Sequence, residues 1–392
     1  MNPSAQGWLK KLLQELNTHH EFLTHDAALF YQNLRSSGFI YGTNVNGLVP
    51  KYRNADLTEE EFTKLNLVSS LFYIFSRTDT DKENFAETAI SFYQSISEFK
   101  PSFLDEILGE KKGLELLEKI IHKRIHIDDN IITKNFNYFI TNAVLFSDVL
   151  AFKVYLENPK KVENYLKKLE TAIEVSVYKA FNTKETKSEY DKSLMKLFEV
   201  SLRYKSETVQ PLHLLLPEFK QELEKYYLLD LTTMAIWSDK VIDKQERAFL
   251  STIAGYFELN TSIVNDSINQ LDTFYVSYKD KIPLLNSKNP VQSFYDNSGR
   301  MVNKLIKRNK KRLLRELKES KELMYLIKKS TTNSLSEEEQ KKMQNQLLDI
   351  FKSIPSLAIF MLPGGMLLLP IVIKFIPKLL PSAFDDNRIE NE

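Results

Sequence analysis

The chain has 392 residues, 27% of them charged and 43% hydrophobic, with a formal net charge of +1. That balance excludes a global electrostatic drive toward nucleic acid or anionic lipid, so any such role must come from a local patch. Cysteine is absent, which excludes disulfides, thiolate catalysis and zinc–sulfur sites.

Taken in chain order, nearly every segment predicts helix, and the expected fold class is all-α. The start, MNPSAQGWLKKLLQEL, is not expected to be a signal peptide, because Lys10 and Lys11 interrupt its apolar run. In Leu57–Arg77, Thr58 and Glu61 stand at capping-box spacing, and Leu65, Val68, Leu71, Phe72 and Phe75 follow a helical period. The residues DTDKEN (79–84) lack the glycine and glutamate of a calcium loop, so a solvated turn is expected. Residues 113–127 predict a helix carrying His122 and His126 one turn apart, a spacing that suits a shared metal, but no third ligand follows. Residues 135–157 predict a helix apolar around most of its circumference and therefore central in a bundle. Helices over 160–181 and 192–205 continue the pattern. No run alternates as a strand would. No phosphate-binding glycine loop, nucleophile elbow or paired-carboxylate constellation appears, so no enzymatic activity is expected.

Proline-bearing breaks near Pro101, Pro211, Pro217, Pro283 and Pro290, and the polar stretch from Asn182, suggest the divisions. The expected parts are an N-terminal helical region (1–105), a central helical bundle (106–205), a further helical region (206–300), a basic amphipathic helix (301–330), a hydrophobic segment (334–384) and an acidic tail (385–392).

Between Leu228 and Asn260 an apolar helix ends at Trp237, an acidic turn follows, and a second helix begins with Asp243 as expected N-cap and Glu246 three residues on. With Asp239 and Ile242, this resembles the helical TerB family, although Lys240 replaces the usual glycine. The resemblance implies a divalent cation, calcium or magnesium, at Asp239, Asp243 and Glu246; the residues themselves also read as a plain helix cap.

Met301–Ser330 carries eleven Lys and Arg against three Glu. Val302, Ile306, Leu313, Leu317 and Met324 share one face of a continuous helix. The basic surface is Lys304, Lys307, Arg308, Lys310, Lys311, Arg312 and Arg315. Such a helix suits a membrane surface, RNA or the ribosome, or an acidic protein partner, and equally a solvated bundle face.

From Ile354 to Ile373 there are twenty residues without a charge, and a bilayer core of about 30 Å needs about 20 helical residues. Pro355, Pro363, Gly364, Gly365, Met366, Pro370, Lys374, Pro377 and Pro381 mark this region. Prolines 363, 370 and 377 recur every seven residues, a spacing that drifts only about 20° per step on a helix. Lysines precede the run and acids follow it, which favours a span with a cytoplasmic N-terminal body. The central Pro363-Gly364-Gly365 favours a hairpin instead.

The stretch SLSEEEQKKMQNQLLDIFKSIPS together with LLPIVIKFIPKLLPSAF resembles the membrane segment of the Letm family. The whole arrangement resembles the bacterial Letm-related biofilm-associated proteins. The resemblance implies a bacterial inner-membrane protein that meets the lipid bilayer, a protein partner and, through the basic helix, the ribosome or RNA, with oligomerisation open. Met366 stands where the family carries the acidic residue linked to cation–proton exchange, and the family's ribosome-binding-type domain, which follows its span, is expected to be missing here. The leading expectation is a membrane-anchored interaction or scaffold protein linked to biofilm or envelope biology. The alternatives are a Letm-like cation transporter or its accessory subunit, and a soluble metal-responsive TerB-like module.

Overall fold

The computed structural model describes residues 1–18, 21–78, 84–97, 113–125, 142–183, 211–237, 242–278, 306–332, 335–354, 357 and 376. All regular structure among them is helical. The chain divides into two compact units: one of Met1, Gly7–Asp128 and Thr133–Lys281, the other of Asn2–Gln6, Asp129–Ile132 and Ile282–Glu392.

In the first unit the described helices are α1 (Trp8–Thr18), α2 (Glu21–Thr24), α3 (Ala27–Ser37), α4 (Glu59–Arg77), α5 (Phe85–Ser97) and α6 (Gly113–Ile125). They continue as α7 (Phe146–Glu157), α8 (Val162–Thr183), α9 (Leu212–Leu215), α10 (Glu222–Ile236), α11 (Lys244–Tyr256) and α12 (Thr261–Tyr278). Thr58 and Glu61 form the expected capping box, with bonds of 3.2 and 2.8 Å that satisfy two backbone donors at the start of α4. Asn84 accepts from the backbone N–H groups of Ala86 and Glu87 and opens α5. Gly38 ends α3 at φ 84°, and a Cβ there would lie 1.8 Å from the Thr43 carbonyl, so only glycine fits.

Two helices run through the middle of this unit. Every residue of α4 from Glu60 to Ile74 is buried. Helix α7 packs on α4, α5, α8 and α10, and buries Phe146 through Phe152 without interruption. The central position expected from its uniform apolarity is observed. The single helix predicted over 135–157 is not: within its described part the helix is interrupted by a turn at Val144 and Leu145, and α7 starts at Phe146. Helix α8 packs against α10 along its length, and α11 and α12 close the far side.

The second unit is built from α13 (Lys310–Glu319), α14 (Lys321–Thr332) and α15 (Glu337–Ser353), each touching the other two. Its core is Leu313 and Leu317 from α13, Leu323, Leu326 and Ile327 from α14, and Met343, Leu347, Ile350 and Phe351 from α15, joined by Ile306, Leu335, Ile354, Leu357 and Ile376. The continuous helix predicted over 301–330 is corrected here. Ser320 adopts φ −108° and ψ 90°, ending α13, and α14 starts afresh at Lys321. The break lets Leu317 and Leu323 both turn inward, which one straight helix would not allow for three short packed segments.

Candidate interaction surface

The second unit sorts charge from grease by helical period. On α13, Leu313 and Leu317 point into the core, while Lys310, Lys311, Arg312, Arg315 and Lys318 are exposed. Lys307 is exposed and Arg308 half-buried in the turn before it. Lys304 and Val302 lie outside the described residues. Of the other expected apolar positions, Ile306 is buried and Met324 packs on the edge of the core.

Ion pairs gather on the opposite seam. Lys329 reaches Glu339 at 2.6 Å and Lys342 reaches Glu322 at 2.5 Å, each tying α14 to α15. The hydrogen bond from Lys329 holds the Glu339 carboxyl below its ordinary range, and that from Lys342 does the same for Glu322. Both pairs are solvent-screened and orient the helices more than they stabilise them. On α13 the balance differs: Arg315 lies 3.6 Å from Glu316, but Lys310 and Lys311, like Lys307 before them, have no acidic partner among the described residues.

Arg312 is the exception in its helix. Its Nη2 donates to the carbonyl oxygen of Ser353, the last residue of α15. Ile354 caps α15 and is buried in the same core. The basic helix is thus fixed to the point where the uncharged run begins. Of that run and its flank, Pro355, Pro363, Gly364, Gly365, Met366, Pro370, Lys374, Pro377 and Pro381 lie outside the described residues. Among the described residues, no helix is long and apolar enough to cross a membrane.

The acidic turn expected to hold a cation has a structural employment for two of its residues. Asp243 Oδ1 accepts from the Glu246 N–H at 2.8 Å, and Glu246 Oε2 accepts from the Asp243 N–H at 2.9 Å, a reciprocal capping box at the start of α11. Glu246 is buried. Asp239 lies outside the described residues. His122 Nδ1 stands 3.6 Å from Glu60, which also pairs with Lys64 at 2.6 Å; His126 lies outside the described residues. No group of three or more metal-ligating side chains occurs among the described residues.

Two buried polar hubs in the first unit are not marked by any motif in the sequence. Asp230 on α10 accepts from Arg35 Nε at 2.7 Å, Arg35 Nη2 at 2.9 Å, the Tyr31 hydroxyl at 2.8 Å and Ser267 Oγ at 2.6 Å. Arg35 also reaches the half-exposed Asp266 at 2.6 Å. Burial, and then the Asp230 charge, push the Tyr31 hydroxyl well above its ordinary range, so it stays a donor. The second hub pairs Arg124 on α6 with Asp148 on α7 at 2.7 Å. Beside Asp148, the neighbouring Ser147 Oγ lies 3.3 Å from the hydroxyl of Tyr227, which donates to the Ala143 carbonyl. A signal existed for both: Asp230 and Asp148 each stand alone in an otherwise apolar helical run, and a lone buried acid demands a base.

Residues 335–392 match the family model LETM1-like, RBD. No curated protein and no solved structure matches the chain. The C-terminal segment is Letm-related. It begins just before α15 and takes in the whole uncharged run, whereas the stretch Leu228–Asn260 lies outside it. One expectation is corrected by the match. The family's ribosome-binding-type domain is expected from the sequence to be missing; the LETM1-like, RBD model instead matches residues 335–392, the expected membrane segment included.

Proposed function

We propose that the chain is a Letm-related interaction protein of the bacterial inner membrane, anchored through residues 354–380 and steadied by contact between α13 and anionic lipid headgroups. One observation carries this reading: the bond from Arg312 to Ser353 holds the exposed lysines of α13 beside the root of the uncharged run. Basic residues flanking a membrane segment favour the cytoplasmic leaflet, where anionic headgroups lie. The apolar side of α13 is already used by the unit's core, so its contact with lipid is electrostatic and does not insert. A helical body displayed at the membrane surface then offers partner surfaces, in keeping with a scaffold role in envelope or biofilm biology.

The test is flotation of the full-length chain with vesicles of phosphatidylcholine alone and of phosphatidylcholine mixed with phosphatidylglycerol. A variant with Lys307, Lys310, Lys311 and Arg315 all changed to Gln should lose the increment that phosphatidylglycerol adds. An unchanged increment rejects the headgroup contact. Carbonate extraction of cells, comparing the full chain with one ended at Ser353, tests the anchor: equal retention rejects it.

A further inference from the structure

A polar cleft of about 230 Å³ lies where the end of α3 faces the loop that follows it, lined by Asn33, Ser36 and Ser37 on one wall and by Asn46 and Arg53 on the other, with Leu48 between. Its two walls have opposite character. The α3 wall is an acceptor wall. Gly38 and Phe39 donate to Arg35 and Leu34, and Val45 donates to the Ser37 carbonyl, but the Ser36 carbonyl receives none of these closing bonds. Ser36 Oγ donates back to the Asn33 carbonyl and keeps its lone pairs, and Asn33 Oδ1 is open because the amide nitrogen makes that side chain's contact with His25. These acceptors sit at a helix C-terminus, the end of the macrodipole that carries partial negative charge.

The loop wall is a donor wall. Asn46 Oδ1 accepts from the N–H groups of Gly47 and Asn54, at 3.0 and 2.7 Å, which fixes the amide so that Nδ2 is the group left over. Arg53 is exposed, and its guanidinium has no ion-pair or hydrogen-bond partner among the described residues. The loop itself is held firmly: Asn66 accepts from the Leu48 N–H at 2.9 Å and donates to the Asn46 carbonyl at 2.9 Å and to Asn44 Oδ1 at 2.7 Å. The donor wall is therefore pre-placed on a buried asparagine and does not depend on a loose loop.

A cleft with one cationic donor wall and one acceptor wall at a helix C-terminus matches neither a simple anion nor a simple cation. We infer that it binds a small zwitterion of the amino-acid class, its carboxylate on Arg53 and Asn46 Nδ2 and its ammonium on the Ser36 and Asn33 oxygens. Arginine meets a carboxylate through paired charge-assisted bonds, and an ammonium is favoured at a helix C-terminus.

The test is calorimetric titration of the full-length chain with each of the twenty common amino acids, with glycerate, in which a hydroxyl replaces the ammonium of L-serine, and with ethanolamine, which is L-serine without its carboxylate. The expected result is that at least one amino acid binds in the millimolar range or tighter, and that glycerate and ethanolamine bind at least about tenfold more weakly than L-serine or not at all. Arg53→Gln should weaken the bound amino acid by about tenfold or more, while Arg53→Lys keeps part of the affinity. Arg53 is exposed, so an unchanged thermal melt shows that the loss is one of binding and not of folding. Glycerate binding as tightly as L-serine, no heat from any amino acid, or equal affinity in Arg53→Gln would each overturn the inference.

Discussion

Arg312 donates to the main-chain carbonyl of Ser353, so a strongly basic helix is tied to the residue that precedes the uncharged run. The bond spans 41 positions of sequence and closes α13 onto the end of α15. Replacing Arg312 by Ala should leave the core leucines in place and cost about 1 kcal/mol. Hydrogen exchange should rise at Phe351–Ile354 before it rises elsewhere in α15. Unchanged exchange there would mean that the bond does not hold the end of the helix.

The exposed basic residues of α13 should act additively on anionic vesicles. Each Lys or Arg near such a surface contributes about 1 kcal/mol, so the fourfold Gln variant should lose roughly a thousandfold in the anionic increment. The increment should also fall steeply with salt, since the contact is screened over about 10 Å at 0.1 M. An increment insensitive to salt would point to apolar insertion instead.

Asp230 and Asp266 share Arg35 but not their environment: the first is buried, and the side chain of the second is 45% exposed. Asp230→Ala leaves a buried guanidinium without its bidentate partner and should destabilise the chain by about 3–5 kcal/mol in urea. Asp266→Ala, on the solvent side of the same arginine, should cost under about 1 kcal/mol. Similar losses for both would show that the hub is not organised around α10.

Glu224 provides a pH handle. It is buried, and desolvation raises its carboxyl above the ordinary value against the opposing bond from the Gln221 backbone N–H. A group raised on folding binds its proton more tightly in the native state, so its stabilising contribution is full below the ordinary range near 4.5 and is lost as pH rises through the folded value. Glu224→Gln keeps the capping-box acceptor and removes the titration. Its stability relative to the parent should therefore grow from pH 4 to pH 8 in urea melts. A constant difference across that range would refute the raised carboxyl.

Asp243→Ala should cost about 1 kcal/mol through loss of the N-cap of α11. The cap needs no ion, so the loss should be the same in chelator and in millimolar calcium or magnesium. A loss that appears only with the cation would restore the metal reading of this turn, with Asp239→Ala as the second variant to melt.

The all-α fold was legible because the helix signals are local. Thr58 and Glu61, and Asp243 and Glu246, announce their caps within four residues, and the apolar run around Phe146 announces a central helix by its composition. The breaks at Ser320 and at Val144–Leu145 were not legible, since neither carries proline or glycine. They arise from tertiary packing, where a core rewards a bend that local propensity does not demand. The same holds for Arg35, whose partner lies 195 positions away. The basic surface was visible as a charge run, but its link to Ser353 needed coordinates.

A single serine joint has an effect on how charge is read from outside. Thirty residues of unbroken helix would make a rod about 45 Å long, a ruler that senses extended arrays of negative charge. Folded at Ser320 and locked onto α15, the same residues become a short knob with Lys310, Lys311, Arg312, Arg315 and Lys318 on one helix of ten residues. A knob samples the local crowding of anionic groups, not their length. If the proposed headgroup contact holds, binding should follow the density of anionic lipid, and long polyanions should gain little over short ones in competing for it.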